Sequence, residues 1–207
     1  GVQTCALPIY AKFHPVWPPI PLAEQTWRSA CNQRPLTIEI GPGVGLHPIS
    51  YAKQHPDRFI VAIEKTTEKF NKFSRRVAHH PQLNNILAVH ANAIEWITRN
   101  ITVNEVSEYF LLYPNPYPKT AQKNKRLMHM PFMEHLLATM RTGATITMAT
   151  NMPFFYEEAK QEWQQTSCLT LQQDLILDAT QHNPRTHFER KYLAAGQKCY
   201  QLIYYKK

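Results

Sequence analysis

The sequence predicts an α/β protein built on a doubly wound, mostly parallel sheet. Short apolar, β-branched runs alternate with helix-like stretches along the chain, which is the element order of such a sheet. The first run, Leu36–Ile40, ends in the glycine-rich turn Gly41-Pro-Gly43-Val-Gly45, and a helix-like stretch follows. Strand, glycine-rich turn and helix form the first half of a nucleotide-binding unit. A chain of 207 residues is long enough for one sizeable domain of this kind.

Three segments are predicted along the chain. Residues 1–9 match a translated sequencing adapter, so a non-native segment is expected there and is left out of the fold. Residues 10–35 are rich in proline and aromatic residues and are expected to form an N-terminal arm with a short helix near residues 22–31. Residues 36–207 carry the alternating strands and helices and are expected to form the folded domain.

Charge and composition narrow the classes of partner. The net charge of +8 and the sequence pI near 9.4 favour an anionic partner, most often a nucleic acid, although a basic protein without such a partner is the alternative. No run approaches the roughly 18 consecutive apolar residues of a membrane span. The cysteines contain no C-x-x-C pair, so no metal site is predicted, and a cytoplasmic location is the default expectation.

The remaining elements follow from apolar runs and their spacing. Short runs rich in β-branched and aromatic residues predict six further strands, at residues 59–63, 86–90, 109–113, 144–149, 169–177 and 198–205. Longer stretches with apolar residues at helical spacing predict helices at residues 46–55, 66–79, 93–100, 123–141 and 153–166.

Acidic and amide side chains stand in or directly after the first three strands. Glu39 lies inside the first strand, where a structural strand would prefer an apolar residue. Glu64 follows the second strand, 23 residues after Gly41, close to the spacing of about 20 expected for a carboxylate that binds ribose hydroxyls. Asn92 follows the third strand, where its amide suits an adenine edge. The alternatives are that Glu64 opens the next helix and that Asn92 is a helix N-cap.

A stiff loop with a basic tail follows the fourth strand. Pro114, Pro116 and Pro118 stand at every second position, and no strand or helix can pass through that spacing because proline lacks the backbone N–H. Asn115 and Lys119 stand on this loop, and no acid interrupts the basic run behind it. This pattern predicts a site for an anionic ligand, and the alternative is a proline-rich connection with a solvated basic face.

The glycine spacing separates two classes of nucleotide enzyme. The fingerprint G-x-G-x-x-G of nicotinamide dehydrogenases does not fit, because the third glycine falls at Gly45, one residue too early. The pattern Glu-x-Gly-x-Gly-x-Gly that begins at Glu39 instead resembles the first motif of class I S-adenosylmethionine-dependent methyltransferases.

Six motifs in one order resemble a single family, the bacterial tRNA (guanine-N7)-methyltransferases. Residues 110–126 resemble that family's Phe-Pro-Asp-Pro-Trp-x-Lys signature and the basic run behind it. The six matching motifs are Glu39-Ile-Gly-Pro-Gly43, Ile63-Glu64, Asn92-Ala93, Tyr113-Pro-Asn-Pro-Tyr-Pro-Lys119, Ala149-Thr-Asn151 and Thr186-His-Phe-Glu189.

The resemblance implies a Rossmann-like class I fold with seven strands and an antiparallel last strand, S-adenosylmethionine as cofactor, tRNA as partner and no metal. The implied cofactor residues are Glu39, Gly41, Gly43, Gly45, Glu64, Asn92 and Asn115, and Asn115 is also the implied catalytic residue. The implied substrate residues are Lys119, Asn151, Thr186, His187, Phe188 and Glu189. The implied RNA-binding residues, which would grip phosphates, are Lys123, Lys125 and Arg126.

The chain departs from the family pattern at three acids. Asn92, Asn115 and Asn151 stand where the family has aspartate, His187 replaces a lysine and Tyr117 replaces a tryptophan. The expected consequence is weakened methylation of tRNA. The alternatives are a divergent paralogue that methylates another substrate and an inactive RNA-binding or scaffold protein. Whether the protein is a monomer or a homodimer is left open.

Overall fold

A computed structural model describes residue 13 and residues 15–180 and 182–207. The expected non-native segment, residues 1–9, lies outside the described residues. Within the described chain the sheet has seven strands: β1 (Leu36–Ile40), β2 (Phe59–Glu64), β3 (Ile86–His90), β4 (Val106–Leu112), β5 (Met140–Thr150), β6 (Leu169–Leu177) and β7 (Cys199–Lys206). The α-helices of the same residues are α1 (Trp27–Cys31), α2 (Leu46–Gln54), α3 (Thr67–Ala78), α4 (Ala93–Asn100), α5 (Phe132–Thr139), α6 (Pro153–Gln164) and α7 (His187–Ala194).

The sheet has the order β3-β2-β1-β4-β5-β7-β6. Its first five members pair in parallel, whereas β7 runs antiparallel to both β5 and β6. The predicted fold, mostly parallel with an antiparallel last strand, is confirmed. The chain leaves β1 toward β2 on one side and later returns to β4 on the other side. In such sheets this reversal opens a crevice at the carboxyl ends of the strands, where ligands bind.

The central strands are buried, as their continuous apolar sequences predict. Every residue of β2 is buried, and Ile38 of β1 has no exposed surface. The short helix α1 packs beneath the sheet, where Trp27 stacks on Phe59 with ring centroids 6.5 Å apart. Arg28 of α1 forms an ion pair with Glu105, directly before β4. The described part of the N-terminal arm therefore covers the domain.

One predicted helix is wrong. Residues 123–141 do not form a continuous helix, because two 3-10 turns, Thr120–Lys125 and Leu127–His129, precede α5. Pro131 is the N-cap of α5, at the position where a missing N–H breaks no helical hydrogen bond. The structure also has a helix that was not predicted from the sequence, namely α7, whose N-cap is Thr186.

Two features are absent from the described residues. None of their helices combines the length and the apolar character needed to span a bilayer. No three side chains of His, Cys, Asp or Glu in the same residues are placed to hold a metal ion together.

Candidate active site

A cavity of about 370 Å³ lies at the carboxyl ends of β1 and β4, at the reversal of strand order. We call it the main cavity. The predicted site residues that line it are Glu39, Gly41, Gly43, Glu64, Asn115, Lys125, Thr186, His187 and Phe188. The predicted residues outside its lining are Gly45, Asn92, Lys119, Lys123, Arg126, Asn151 and Glu189. The wall also includes residues that the sequence did not single out, among them Leu46, Lys69, Leu111, Leu112, Leu127 and Met130.

The glycine-rich turn and Glu64 form one rigid edge of the main cavity. Gly43 has a φ of +61°, a conformation that favours glycine, and a Cβ built there would meet no atom within 4 Å. Its N–H donates to Glu64 Oε2 over 2.9 Å, and the Thr66 N–H donates to Glu64 Oε1 over 2.7 Å. The N-cap of the next helix is Thr66 rather than Glu64, and Glu64 holds Thr66 while it presents a fixed, buried carboxylate to the cavity.

Glu39 is a buried carboxylate with a histidine partner. Its side chain is 1% exposed, and Oε2 lies 2.8 Å from Nδ1 of His47, which is also buried. The His47 ring packs edge-on against Phe110, with centroids 4.6 Å apart. A buried acid requires a partner, so an acid inside a strand is the sequence signal that could have identified His47 on the following helix.

The proline loop after β4 is held in an unusual backbone conformation. Tyr113 and Tyr117 have φ values of +55° and +43°, which are uncommon for residues with a bulky side chain. Asn115 Oδ1 accepts a hydrogen bond from the Tyr117 N–H over 3.2 Å. Tyr113 donates its hydroxyl hydrogen to Glu189 Oε1 over 2.9 Å. Residues of the loop thus line the cavity while contacts on both sides fix its course.

Arg126 is the first of these contacts, and the prediction that it grips RNA is wrong. The residue is 3% exposed. Its guanidinium donates to the carbonyl oxygens of Pro116 and Tyr117 over 2.8 to 3.1 Å, and it forms an ion pair with Glu158. The ring of Phe154 lies 5.0 Å from the guanidinium carbon. Arg126 therefore clamps the loop and is unavailable to a phosphate.

Glu189 is the second contact, and the structure does not support its predicted role as a direct substrate ligand. It has no exposed surface. Its carboxylate accepts hydrogen bonds from the Arg185 N–H over 2.6 Å and the Arg185 guanidinium over 2.7 Å, and Nε2 of His182 lies 2.9 Å away. Thr186 caps α7 by accepting from the Glu189 N–H over 3.0 Å. The spacing Thr-x-x-Glu is a helix-start signal that the sequence analysis did not use.

The groups around Glu189 lower the pKa of its carboxyl. Burial by itself raises the pKa of this carboxyl, but the hydrogen bonds and positive charge of Arg185, with a further contribution from His182, outweigh it and lower the pKa to about 2 from an ordinary 4.5. A carboxyl with a lowered folded pKa stabilises the protein above its ordinary pKa, and this contribution is lost as pH falls through the folded pKa.

We therefore predict that Glu189→Gln lowers the free energy of unfolding at pH 7 by about 3 kcal/mol. The wild type is expected to lose stability between about pH 4.5 and 2, and the variant should lose much less over this range. Urea unfolding across this pH range measures both effects. The control is Glu68→Gln, which removes an exposed carboxylate paired with Lys72 and should leave stability nearly unchanged. Equal behaviour of the two variants would contradict the role assigned to Glu189.

A second cavity of about 290 Å³, the side cavity, adjoins the main one. The residues shared by both cavities are Lys69, Tyr113, Pro114, Asn115 and Phe188. Asn151 lines only the side cavity, and its Nδ2 donates to Gln197 Oε1 over 3.0 Å. Phe188 is 38% exposed, and Lys69 Nζ lies 5.6 Å from its ring centroid. Asn115 thus stands between a cavity edged by carboxylates and a smaller one with amide and aromatic walls.

The other predicted residues lie outside both cavities. Asn92 caps α4 by accepting from the Ile94 N–H over 3.0 Å, so the N-cap alternative is confirmed and a cofactor contact stays a prediction. Lys119 and Lys123 are exposed beside the loop.

Comparison with known proteins decides the family. A family model described as "Putative methyltransferase" matches residues 33–202. The chain belongs to this methyltransferase family. It is 28% identical over 174 residues to the tRNA (guanine-N(7)-)-methyltransferase of Exiguobacterium sp., covering 83% of this chain and 80% of the relative. It is 26% identical over 186 residues to the protein of the same name from Lacticaseibacillus casei, covering 86% and 84%. The resemblance found in the sequence is confirmed by these relatives.

Solved structures agree on the fold of the methyltransferase. The 16S rRNA methyltransferase KamB matches with a TM-score of 0.66 at 19% identity, covering 91% of this chain and 96% of KamB. A SAM-dependent methyltransferase from Aquifex aeolicus matches with a TM-score of 0.57 at 11% identity, covering 89% of each chain.

Proposed function

We propose that this methyltransferase uses S-adenosylmethionine to methylate guanine N7 in tRNA. The observation that carries the proposal is the pair of cavities that meet at Asn115, one edged by Glu39 and Glu64 and the other lined by Asn151 and aromatic rings. The curated relatives named tRNA (guanine-N(7)-)-methyltransferase support the choice of substrate. The basic balance of the chain and the exposed Lys119 and Lys123 support an RNA partner. A cytoplasmic location is part of the proposal.

The main cavity fits the cofactor. The fixed Glu64 carboxylate suits ribose hydroxyls, and the open space around Gly43 lets a ligand approach the backbone closely. Leu111, Leu127 and Met130 supply an apolar wall for a flat base or a thioether chain. The carboxylates of Glu39 and Glu64 complement the positive charge of the sulfonium and amino groups. When bound, S-adenosylmethionine supplies the methyl group.

The side cavity fits a guanine that is turned out of its stack. Phe188, Tyr192 and Tyr113 offer aromatic surfaces on which a base can stack. The amides of Asn115 and Asn151 can both donate and accept hydrogen bonds at a base edge. Guanine N7 carries a free lone pair and loses no proton when it is methylated, so the residues here need only orient the base. The ring becomes cationic as it reacts, and an amide stabilises such a charge less than a carboxylate does.

Replacing both amides by carboxylates should raise the rate. We predict that Asn115→Asp combined with Asn151→Asp increases kcat on tRNA by about tenfold, because charge-assisted hydrogen bonds are roughly twice as strong as neutral ones. Single-turnover methylation of an unmodified tRNA transcript measures the effect. The control variant, Asn71→Asp with Asn104→Asp, adds the same two charges at exposed positions. A rate unchanged or lowered relative to this control would count against the placement of Asn115 and Asn151.

Labelling tests the proposal itself. The protein is incubated with radiolabelled S-adenosylmethionine and tRNA from a strain that lacks N7-methylguanosine, and the nucleosides are then separated. Label in N7-methylguanosine is the expected result. Label in another nucleoside would point to a divergent paralogue. If calorimetry detected cofactor binding but no nucleoside carried label, an inactive RNA-binding or scaffold protein would be favoured. This is the second candidate because three asparagines stand where the family has aspartate.

A further inference from the structure

A third cavity lies between α2 and α3, on the other side of the glycine-rich turn, and its polar lining is almost entirely basic. Its volume is about 290 Å³. Lys53 of α2 and Arg76, His79 and His80 at the end of α3 line it, and no carboxylate does. We call it the basic cavity. Leu46 lines both the basic cavity and the main cavity, so the two are neighbours.

The four basic side chains of the basic cavity have no acidic partner among the described residues. No carboxylate of these residues lies within 4.0 Å of the four basic side chains. The partly buried Arg28, Arg126 and Arg185, in contrast, each form an ion pair with a glutamate. Arg58 and Arg99 are paired with glutamates as well, so among the described residues Arg34 and Arg76 are the two half-buried arginines without a carboxylate partner. Arg34 instead bonds to carbonyl oxygens and Asn84, whereas Arg76 borders an open basic cavity.

Two of these basic groups touch each other. Lys53 Nζ lies 3.3 Å from His80 Nε2, a contact that is favourable only while this ring nitrogen is unprotonated and accepts from the ammonium. An anion placed against both groups would accept hydrogen bonds from the Lys53 ammonium and from the His80 ring. Arg76 borders the same space, and its Nη1 donates to the carbonyl oxygen of Val44 in the glycine-rich turn over 2.9 Å.

We infer that the basic cavity binds a phosphate of the RNA backbone, as a second anchor apart from the basic run beside the proline loop. This inference rests on the proposed RNA substrate. A backbone phosphate is favoured over a whole nucleotide because Lys53 and His79 are exposed and the lining has no Phe, Tyr or Trp ring to stack a base. Phosphate contacts fix the position of an RNA without reading its sequence. An anchor beside the main cavity would orient tRNA over the reacting base.

Charge reversal at one exposed lysine tests the inference. Lys53→Glu should weaken binding of an unmodified tRNA transcript about tenfold at low salt and lower the slope of log Kd against log salt by about 1. The matched control, Lys207→Glu, reverses an exposed lysine at the end of the chain and should change neither quantity beyond the general effect of charge. His80→Gln is a second variant that should weaken binding in the same direction. Arg76 is left unchanged because it also holds the glycine-rich turn.

The possible outcomes test the phosphate site and the proposed methylation of tRNA independently. Equal tRNA binding by Lys53→Glu and Lys207→Glu would overturn the inference. If the two variants bound tRNA equally and inorganic phosphate stabilised the wild type, but not Lys53→Glu, against heat, the cavity would be a site for a free anion rather than for RNA. Selective weakening in Lys53→Glu, together with no methylation of tRNA by the wild type, would refute the proposed reaction and leave the phosphate site standing. Unchanged S-adenosylmethionine affinity of Lys53→Glu would show that the fold is intact.

Discussion

Gly45→Ala is expected to lower the free energy of unfolding by about 3 kcal/mol or more. A Cβ at this position would lie 2.0 Å from Cδ2 of Phe73, and the backbone φ is +81°. Phe73 has no exposed surface and packs among buried residues of α2 and β2, so it cannot swing away. Overpacking a tight core costs about 1–3 kcal/mol, and the left-handed backbone adds about 1–2 kcal/mol for a residue with a side chain.

Gly196→Ala separates these two causes. Gly196 has a φ of +70°, but a Cβ there would meet no atom within 4 Å, so only the backbone cost of about 1 kcal/mol should remain. Urea unfolding followed by tryptophan fluorescence measures both variants. Similar losses in both would mean that Phe73 yields to the new methyl group. Gly45→Ala should also weaken cofactor binding, because the same turn positions Gly43 and Glu64.

The strands and the glycine-rich turn could be predicted because their signals are local. The runs at β1 and β3 have the predicted bounds, and continuous apolar sequence is typical of strands covered on both faces. The predicted helix over residues 123–141 was wrong although most of its apolar residues are buried. Apolar residues of an irregular segment that packs on the core can have the same spacing as those of a helix. Pro131 was the contrary signal within that stretch.

Site residues were predicted less well where their role depends on a distant partner. The sequence places Arg126 in a basic run, and only the fold brings it to Glu158 on α6 and to the carbonyl groups of the loop. Glu189 was likewise assigned from its motif, whereas the fold buries it against Arg185 and Tyr113. Neither residue lines the main or the side cavity, yet both contact residues of the loop that carries Asn115. Several motif segments therefore lie at the two cavities, whereas burial and ion pairing do not fit the roles that the motifs assigned to Arg126 and Glu189.

The strain of the loop explains why it needs two clamps. A residue with a side chain in the left-handed region costs of the order of 1–2 kcal/mol, and Tyr113 and Tyr117 both have such backbones. The Tyr113 hydroxyl bonds to Glu189 on one side, and Arg126 holds the Tyr117 carbonyl oxygen on the other. These contacts offset the strain, so the position of Asn115 depends on ion pairs that lie outside the cavities.

Arg126→Lys is expected to lower kcat by about 100-fold, because a shift of about 1 Å in the reacting geometry has an effect of this size. Lysine keeps the positive charge beside Glu158 but lacks the planar fork that reaches Pro116 and Tyr117 together. Removing these hydrogen bonds within a buried ion pair should also lower the free energy of unfolding by about 2 kcal/mol. Methylation of a tRNA transcript at saturating tRNA, together with urea unfolding, measures the two effects.

Lys123→Gln distinguishes a clamp from a phosphate contact. Lys123 is exposed on the same segment, so its loss should lower the slope of log Kd against log salt by about 1 and leave kcat at saturating tRNA unchanged. Arg126→Lys should show the reverse, a lower kcat with an unchanged slope. A lower slope in an Arg126→Gln variant that keeps its kcat would contradict the clamp. Both side chains are cationic and stand three residues apart in one basic run, so the different effects expected of the two substitutions follow from the burial of Arg126 and the exposure of Lys123.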